Sequence, residues 1–321
     1  MKIAILHAQL ALDAPQDEQD VLAQVAAVSE ALESLGHTPI TVPLSLDLNT
    51  GSANLQQIQP DLVFNLVESL AGSGQFIYFA PTLLQFLKIP YTGASANAMF
   101  LTSNKILTKE RLFSKGIPTP GWATGQDILQ NGVSFEPPYI IKPVWEDASV
   151  GLDEKSIVYD KEKLNSVLKE KIDRFGECFV EGFIPGREFN ISIITGKNGP
   201  QVLPHAEIVF KDFPEGKPHI VDYLAKWDTD SFEYQNTVRS FDFLSEDAPL
   251  LNELTQITRQ CWDLFDLRGY ARVDFRVDEQ NRPWVLEVNA NPCISPDSGF
   301  VAAAERAGMS FEQVIDRIIQ N

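Results

Sequence analysis

The sequence is poor in cysteine and histidine, and the few residues of each type are widely separated. Its three cysteines (Cys178, Cys261 and Cys293) are odd in number and far apart, which argues against a disulfide framework and against a zinc site. The four histidines are scattered without the spacing of metal ligands. We therefore expect a protein of a reducing compartment, the cytoplasm.

Long apolar runs, glycine fingerprints for nucleotides and an excess of positive charge are also missing. No apolar run approaches the ~18 residues of a membrane span. No P-loop, dinucleotide fingerprint or nucleophile elbow is present. The formal net charge of −18 argues against nucleic acid and anionic membrane as partners. The 321 residues, 44% of them hydrophobic, suffice for two or three globular domains.

Strand and helix patterns alternate up to about residue 100. Strands are predicted at residues 3–6, 40–42 and 61–65. Apolar residues between positions 21 and 35 recur at helical spacing, and Gly36 ends that helix. A second helix is predicted at residues 76–87, with Pro81 as a possible break. This alternation predicts a doubly wound α/β layer.

Beyond residue 100 the pattern changes twice. Residues 101–178 mix a helix through Leu112, an apolar strand at 139–142 and a charged helix at 160–171. After residue 179 strands dominate, which makes the C-terminal half α+β in character. They are predicted at 179–183, 188–195 and 201–210, followed by helices at 249–265 and 311–319. We therefore predict domains at 1–100, 101–178 and 179–321.

Residues 269–277 and 284–292 read as two strands around a polar break at 278–281. Residues i and i+2 of a strand share a face, so Arg272 lies beside Asp274, and Glu287 lies beside Asn289. A hairpin would gather these four side chains on one surface. Oxygen ligands of this kind suit Mg²⁺ that bridges to nucleotide phosphates. A solvated polar face on an ordinary hairpin is the alternative.

Three further segments carry weaker signals. Lys142 ends an apolar strand and precedes a small-residue loop with Ser149 and Gly151, which could grip a polyphosphate or form an ordinary surface turn. The apolar strand at 179–183, with Glu188 beyond it, could hold an adenine edge and a ribose, or be a turn flanked by acids. Residues 211–237 form the longest polar connection, a candidate lid in which Lys226 reaches a phosphate or is solvated.

Taken in order, these segments resemble the ATP-grasp superfamily and, within it, the D-alanine–D-alanine ligases. The resemblance runs from Met1 to the region of Gly308. It is carried by Lys105, Tyr139-Ile-Ile-Lys142-Pro, Glu181-Gly-Phe-Ile-Pro-Gly-Arg-Glu188-Phe, Asp222-Tyr-Leu-Ala-Lys226, Ala271-Arg-Val-Asp274-Phe and Leu286-Glu-Val-Asn289-Ala-Asn-Pro292. It implies a three-domain ATP-grasp fold that clamps ATP between the central and C-terminal domains.

The resemblance also implies a role for each matching residue. The catalytic residues implied are Arg272 and Lys226. Arg272 would stabilise an anionic tetrahedral intermediate, and Lys226 would reach the phosphate from the lid. The residues implied to bind ATP are Lys105, Lys142, Ser149, Glu181, Phe183, Ile184 and Glu188. Asp274, Glu287 and Asn289 would bind Mg²⁺. In the implied reaction ATP phosphorylates a carboxylate, and an amine attacks the acyl phosphate.

The substrate half departs from the family pattern. The glycine-glycine motif after the first strand is absent together with its glutamate, for which Asp17 and Glu18 are weak candidate substitutes. Glu68 occupies the position at which members of the family have a histidine, and Trp227 occupies the position of the family's lid tyrosine. Ala148 replaces a serine of the family's phosphate loop. Because of the missing motif, Ala148 and Trp227 together, we expect the first pocket, which holds the acyl donor, to have lost the polar set that pairs with an alanine ammonium. Ser298 falls at the serine that binds the acceptor carboxylate.

We therefore expect an ATP- and Mg²⁺-dependent carboxylate–amine ligase acting on substrates other than two D-alanines. A small-molecule carboxylate and an amine, the latter expected to be an amino acid, would be its partners, and family analogy suggests a homodimer. A genuine D-alanine–D-alanine ligase is the first alternative. A nucleotide-binding regulator without catalysis is the second, although a binder would have no use for Arg272.

Overall fold

Three sheets, formed largely in chain order, carry the fold among residues 1–11 and 13–320, which the computed structural model describes. The strands are β1 (Lys2–Ala8), β2 (Thr38–Leu44), β3 (Leu62–Asn65), β4 (Trp122–Thr124), β5 (Tyr139–Pro143), β6 (Ile157–Val158), β7 (Cys178–Gly182), β8 (Arg187–Ile194), β9 (Gln201–Val202), β10 (Ala206–Phe210), β11 (Thr237–Ser240), β12 (Tyr270–Val277) and β13 (Pro283–Asn289). The helices are α1 (Gln16–Ser34), α2 (Leu48–Ile58), α3 (Phe79–Leu87), α4 (Ala96–Ser103), α5 (Lys105–Ser114), α6 (Gly125–Asn131), α7 (Leu164–Phe175), α8 (Tyr223–Trp227), α9 (Phe232–Asn236), α10 (Ala248–Leu264), α11 (Gly299–Arg306) and α12 (Phe311–Ile319). Within the described residues no helix has the length and apolar character needed to cross a membrane.

The first sheet is parallel, in the order β2-β1-β3, and confirms the predicted α/β layer. The sequence analysis did not predict α2, whose N-terminus is capped by the Asp47 side chain accepting from the Thr50 amide. The predicted break at Pro81 is wrong. Helix α3 begins at Phe79, so Pro81 lies in the first turn, where its missing N–H removes no helical hydrogen bond.

The second sheet is antiparallel, in the order β4-β7-β5-β6. Its apolar face packs on α6 and α7 through a small core that includes Tyr139, Ile141 and Leu168. Strand β7 pairs with β5 along its whole length, from Tyr139 opposite Gly182 to Pro143 opposite Cys178. The second sheet therefore uses residues on both sides of the position at which we divided the second domain from the third.

The third sheet has the order β11-β10-β8-β12-β13, with β9 paired to β8. The predicted hairpin is confirmed: Arg272 lies opposite Asn289, and Asp274 lies opposite Glu287. The register then shifts, because Phe275 pairs with Val285 and leaves Leu286 as a bulged residue. Strand β10 is separate from β9, so the single strand predicted at 201–210 is interrupted.

One hydrophobic core joins the N-terminal and C-terminal parts of the chain. Apolar residues of α1 pack in a single cluster with residues of β1 and with the helices α11 and α12. Buried members from these elements include Val21, Val25, Val28, Leu32, Ile3, Ile5, Phe300, Val301, Val314, Ile315 and Ile318. The first and third sheets are therefore fixed to each other, with the site described below between them and the second sheet.

Candidate active site

A buried charge cluster lies on one face of the β12–β13 hairpin. Arg272 donates two hydrogen bonds to Asp274, from Nε to Oδ1 and from Nη2 to Oδ2, each of 2.8 Å. Asn190 of β8 donates a third to Asp274 Oδ1, also at 2.8 Å. Asn289 lies opposite Arg272, and its Oδ1 accepts the backbone N–H of Asn291 at 2.9 Å. The structure thus brings the predicted hairpin residues together.

Asp274 and Glu287 form a carboxylate pair within this cluster. Burial raises the pKa of Asp274 to about 6, although Arg272 opposes the change. Burial would also raise the pKa of Glu287, but the charges of Lys105 and Arg272 outweigh it and lower that pKa to about 2. The two carboxyl groups and the Asn289 amide provide the hard oxygen donors that Mg²⁺ takes in proteins, so this set fits the predicted metal.

The lysines implied to bind phosphate are paired with carboxylates. Lys105 Nζ donates to Asp147 Oδ1 at 2.7 Å and lies 3.9 Å from Glu287 Oε2. Lys142 Nζ donates to Glu181 Oε1 at 2.7 Å. These pairs leave two ammonium groups beside the carboxylate pair and the loop after β5.

Lys109, which the sequence analysis missed, also forms an ion pair with Glu181. Both side chains are almost fully inaccessible to solvent, and burial lowers the pKa of Lys109. Glu181 is therefore held between two lysines. The available signal was spacing, since Lys109 follows Lys105 by four residues and lies on the same face of α5.

The residues implied to hold adenine and ribose surround a second arginine. Arg276 Nη1 donates to Glu188 Oε2, and Arg276 Nε donates to the carbonyl oxygen of Ile184, both at 2.9 Å. The Arg276 guanidinium carbon lies 5.3 Å from the centre of the Phe183 ring. The sequence analysis missed Arg276 although it follows Asp274 by two residues and so shares its face of β12.

The predicted lid, residues 211–237, contacts the small-residue loop that contains Ser149 and Gly151, which is called the phosphate loop below. Ser149 Oγ donates to the Val221 carbonyl at 2.7 Å, and Trp227 Nε1 donates to the Ala148 carbonyl at 2.9 Å. Lys226 lies in the same short helix as Trp227, with its ammonium 5.6 Å from the indole ring. The segment 211–237 carries two short helices, α8 and α9, and α8 is capped by the side chain of Asp222.

A small acidic cavity of about 80 Å³ lies between β1, the loop after β3 and the phosphate loop. Its lining includes Glu18, Glu68, Glu146 and Asp147. Gln24 donates to Glu68 Oε1 at 2.8 Å, and burial raises the pKa of Glu68 to about 7. The expectation that this pocket lacks groups to pair with an ammonium is therefore wrong. Glu18 is placed at the cavity, whereas the side chain of Asp17 lies outside the described part of the structure.

A second cavity of about 440 Å³ adjoins the first. The two cavities share Glu18, Gly72, Glu146 and Val150 in their linings. The larger one continues past the phosphate loop to residues of α7 and the lid, namely Arg174, Phe175, Asp222, Tyr223 and Leu224. The two cavities are therefore adjacent, and the larger one extends from the phosphate loop to the lid.

Ser298 precedes α11, and its hydroxyl caps this helix by accepting the Val301 N–H at 3.3 Å. Arg239 of β11 reaches the same place, because a Cβ on Gly299 would lie 3.4 Å from Arg239 Nη2. Burial lowers the pKa of Arg239, and the positive charge of Arg272 lowers it further. Arg239 therefore lies at the N-terminus of α11, close enough to Arg272 for their charges to interact, and the sequence analysis missed Arg239.

The sheets, the paired lysines and the hairpin cluster define an ATP-grasp ligase. The family model described as "D-ala D-ala ligase C-terminus" matches residues 119–320. The chain belongs to the D-alanine–D-alanine ligase family, whose members are ATP-dependent, ADP-forming ligases.

Individual relatives agree with this family assignment. The chain is 31% identical over 295 residues to the D-alanine–D-alanine ligase of Aquifex aeolicus (strain VF5), which covers 91% of this chain and 92% of the relative. The crystal structure of a D-alanine–D-alanine ligase from Bacillus anthracis has a TM-score of 0.75 at 24% identity and covers 100% of this chain and 96% of that one. The VanG D-Ala:D-Ser ligase from Enterococcus faecalis has a TM-score of 0.72 at 17% identity, with 99% and 98% coverage. These two likenesses concern the fold.

Proposed function

We propose that the chain is an ATP- and Mg²⁺-dependent carboxylate–amine ligase of the cytoplasm whose acyl donor is larger than D-alanine. The observation that carries the ligase part is the fixed guanidinium of Arg272 beside the Asp274–Glu287 pair. The observation that carries the donor part is the second cavity, which continues the first pocket and which a single alanine would leave empty.

The phosphate groups would be held by lysines that now pair with carboxylates. Lys105 and Lys142 would turn from Asp147 and Glu181 toward the triphosphate, and Lys226 would approach from the lid. Asp274, Glu287 and Asn289 would hold Mg²⁺, which supplies charge neutralisation at the phosphate oxygens. Ser149 stands in the loop where backbone N–H groups would face the same phosphates.

Arg272 would stabilise the tetrahedral oxyanion formed when the amine attacks the acyl phosphate. Its two hydrogen bonds to Asp274 fix the guanidinium before the reaction, so no reorientation is required as negative charge develops. The acceptor carboxylate would lie between Arg239 and the Ser298 hydroxyl, at the N-terminus of α11. An amino acid acceptor fits this arrangement.

The donor would present its cationic group to Glu68 and Glu18 and extend toward Phe175. The carboxylates of the small cavity can pair with an ammonium, and a longer body would fill the second cavity toward Arg174 and Leu224. Closure of the lid over the phosphate loop, through the hydrogen bond from Trp227 to the Ala148 carbonyl, would cover the donor. Such closure excludes water, which would otherwise hydrolyse an acyl phosphate.

A phosphate-release screen of amino acids, dipeptides and other carboxylates against amino acid acceptors tests the proposal. We expect a donor longer than alanine to have a kcat/KM at least about 10² above that of D-alanine, the scale of discrimination set by unfilled or unpaired pocket groups. Efficient D-alanyl-D-alanine formation with millimolar or better affinity would overturn it.

That result would establish the second candidate, a genuine D-alanine–D-alanine ligase, which the relatives favour. ATP binding without turnover of any pair would instead favour the regulator.

A further inference from the structure

Arg276 is the most deeply buried charged group on the nucleotide side of β12 that the proposed function does not use. Only 3% of Arg276 is exposed. Its Nε donates to the Ile184 carbonyl, and its Nη1 donates to Glu188 Oε2 and to the His219 carbonyl, all at 2.9 Å. One guanidinium thus joins β12 to the segment after β7, to the start of β8 and to the beginning of the lid.

The remaining nitrogen of Arg276 is unsatisfied. Nη2 is buried and has no hydrogen-bond partner anywhere in the described part of the chain. A guanidinium keeps all its N–H donors at physiological pH, so protonation changes cannot relieve this deficit. Buried donors of a charged group are almost always paired, so the acceptor for Nη2 comes from outside the chain, from a ligand or from water.

The backbone beside Arg276 makes an unusually close approach at Gly186. Gly186 has a φ of +131°, and a Cβ on it would lie 2.1 Å from the Val277 carbonyl oxygen. Only glycine allows this close approach, which brings the Ile184 carbonyl onto the end of β12. The guanidinium also lies over the Phe183 ring, at 5.3 Å, a stacking geometry that arginine favours with flat aromatic partners.

Resting on the proposed function, we propose that Arg276 binds the nucleoside part of ATP, with Nη2 donating to an oxygen of the ribose or a ring nitrogen of the base. Arg276 lies two residues from Asp274, about 6–7 Å further along the strand from the carboxylate pair that would face the phosphates. Its partners Ile184 and Glu188, and the Phe183 ring beside it, are the residues expected around adenine and ribose. The guanidinium therefore supplies a donor at the nucleoside end of the cleft.

Direct ATP binding, without any other substrate, tests this assignment. Calorimetric Kd values would be compared for the wild type, Arg276→Met, Arg276→Lys and the control Arg282→Met. Arg282 lies on the same hairpin but is exposed and pairs with Asp278. We expect Arg276→Met to weaken ATP binding by about tenfold or more, the value of one hydrogen bond from a charged donor. Arg276→Lys should lose less, and Arg282→Met should match the wild type.

Analogues identify the acceptor atom. If Nη2 contacts the ribose, the wild type binds 2′-deoxy-ATP or 3′-deoxy-ATP more weakly than ATP, and Arg276→Met does not distinguish them. If it contacts the base, the deoxy analogues behave alike in both proteins, and Arg276→Met changes the ratio of ATP to ITP affinity. Either pattern supports the assignment.

A purely structural role of Arg276 predicts a different result. In that case Arg276→Met melts at a lower temperature than the wild type without ATP but binds ATP with the wild-type Kd. If the methionine variant does not fold, Arg276→Lys is measured in the same way. That outcome overturns the assignment and leaves the ligase proposal intact. A wild-type protein that does not bind ATP overturns the proposed ATP site itself.

Discussion

Arg272 is held by two hydrogen bonds to one carboxylate, an arrangement that fixes the direction of its guanidinium. Arg272→Ala should therefore lower turnover by roughly 10²–10³ while the Kd for ATP stays near the wild-type value, as expected for loss of one oxyanion-stabilising donor. Steady-state kinetics and separate ATP binding measure the two effects. Arg282→Ala, on the exposed part of the same hairpin, is the control. A variant that mainly loses ATP affinity would assign Arg272 to the nucleotide.

Glu287 lies opposite Asp274 and is the carboxylate whose pKa remains low. Glu287→Gln removes one anionic ligand from the proposed Mg²⁺ set while keeping the shape of the side chain, so nearly all activity should disappear with the fold intact. Activity across a Mg²⁺ titration, together with circular dichroism, provides the measurement. Glu279→Gln in the exposed turn is the matched control. Wild-type turnover of the Glu287 variant in low Mg²⁺ would disprove the metal assignment.

Glu68 is a carboxyl group in a mostly acidic environment. The groups that act on its pKa, besides burial and the hydrogen bond from Gln24, are Asp20, Asp147 and Lys226; Tyr270 and Cys293 also lie close enough to interact with it. The pKa is about 7 in the folded protein against 4.5 for a free carboxyl. Between these pH values the folded state holds a proton that the unfolded state has released, so the free energy of unfolding falls as pH rises.

Glu68→Gln should remove this slope. At about pH 4 the wild type and the variant should be similar in stability, whereas at about pH 8 the variant should be the more stable by up to about 3 kcal/mol, from 1.36 kcal/mol per pKa unit. Urea unfolding at several pH values measures the difference. Parallel stability–pH curves for the two proteins would show that the Glu68 carboxyl titrates normally.

The hairpin residues could be predicted because a strand has a period of two, which places Arg272, Asp274, Glu287 and Asn289 without any knowledge of distant contacts. Lys109, Arg239 and Arg276 were missed because the importance of each depends on partners far away in sequence. Lys109 pairs with Glu181, and Arg276 pairs with Glu188. Single charged residues on a helix or strand are usually solvated, so local pattern alone gave no reason to select them.

At the scale of elements, the lid contacts the phosphate loop through two hydrogen bonds, Ser149 to Val221 and Trp227 to Ala148. Elsewhere the lid is held by the hydrogen bond from Arg276 to the His219 carbonyl and by the ion pair between Lys217 and Glu154. Each of these hydrogen bonds contributes only about 1 kcal/mol, so the lid can open locally without unfolding of the core. We expect amide hydrogen exchange in residues 211–237 to slow when ATP and an acyl donor are both bound. Equal exchange with and without these ligands would contradict a closing lid.

Single substitutions distinguish the roles of Trp227 and Lys226, which both lie in α8. Trp227→Phe removes one hydrogen bond and should mainly increase protease cleavage of the lid. Lys226→Met removes a cation from the phosphates and should lower turnover more than Trp227→Phe does.

Elements with strong periodic patterns were predicted well, as for α10, α12 and the β12–β13 hairpin. Helix α2 was missed because its sequence is mostly polar, and only Gly51 and Leu55 are buried. The bulge at Leu286 was also missed, since strict alternation along the strand would place Leu286 on the same face as Val288. The bulge instead turns Val285 into the core, where it joins the cluster that contains Val273, Phe275 and Val288.

At the scale of the whole molecule, the order of the three sheets follows the order of the sequence, whereas the packing between them does not. Residues of α1 share a core with α11 and α12, which are separated from α1 by most of the chain. Removing α12 should expose Val21, Val25 and Leu32. We expect a variant truncated after residue 308 to lose cooperative thermal unfolding, which calorimetry measures; an intact transition would show that α1 is stable without α12.

The shared core can form only late in synthesis, because its two halves lie near opposite ends of the chain. The last residue of α1, Ser34, is made 277 residues before Phe311, the first residue of α12. At ~5–20 residues per second, the apolar side of α1 waits on the order of tens of seconds for its partner. During that interval the apolar face of α1 is exposed on the nascent chain. A chaperone that shields that helix at the ribosome exit should therefore raise the yield of active enzyme more than one that acts only after release.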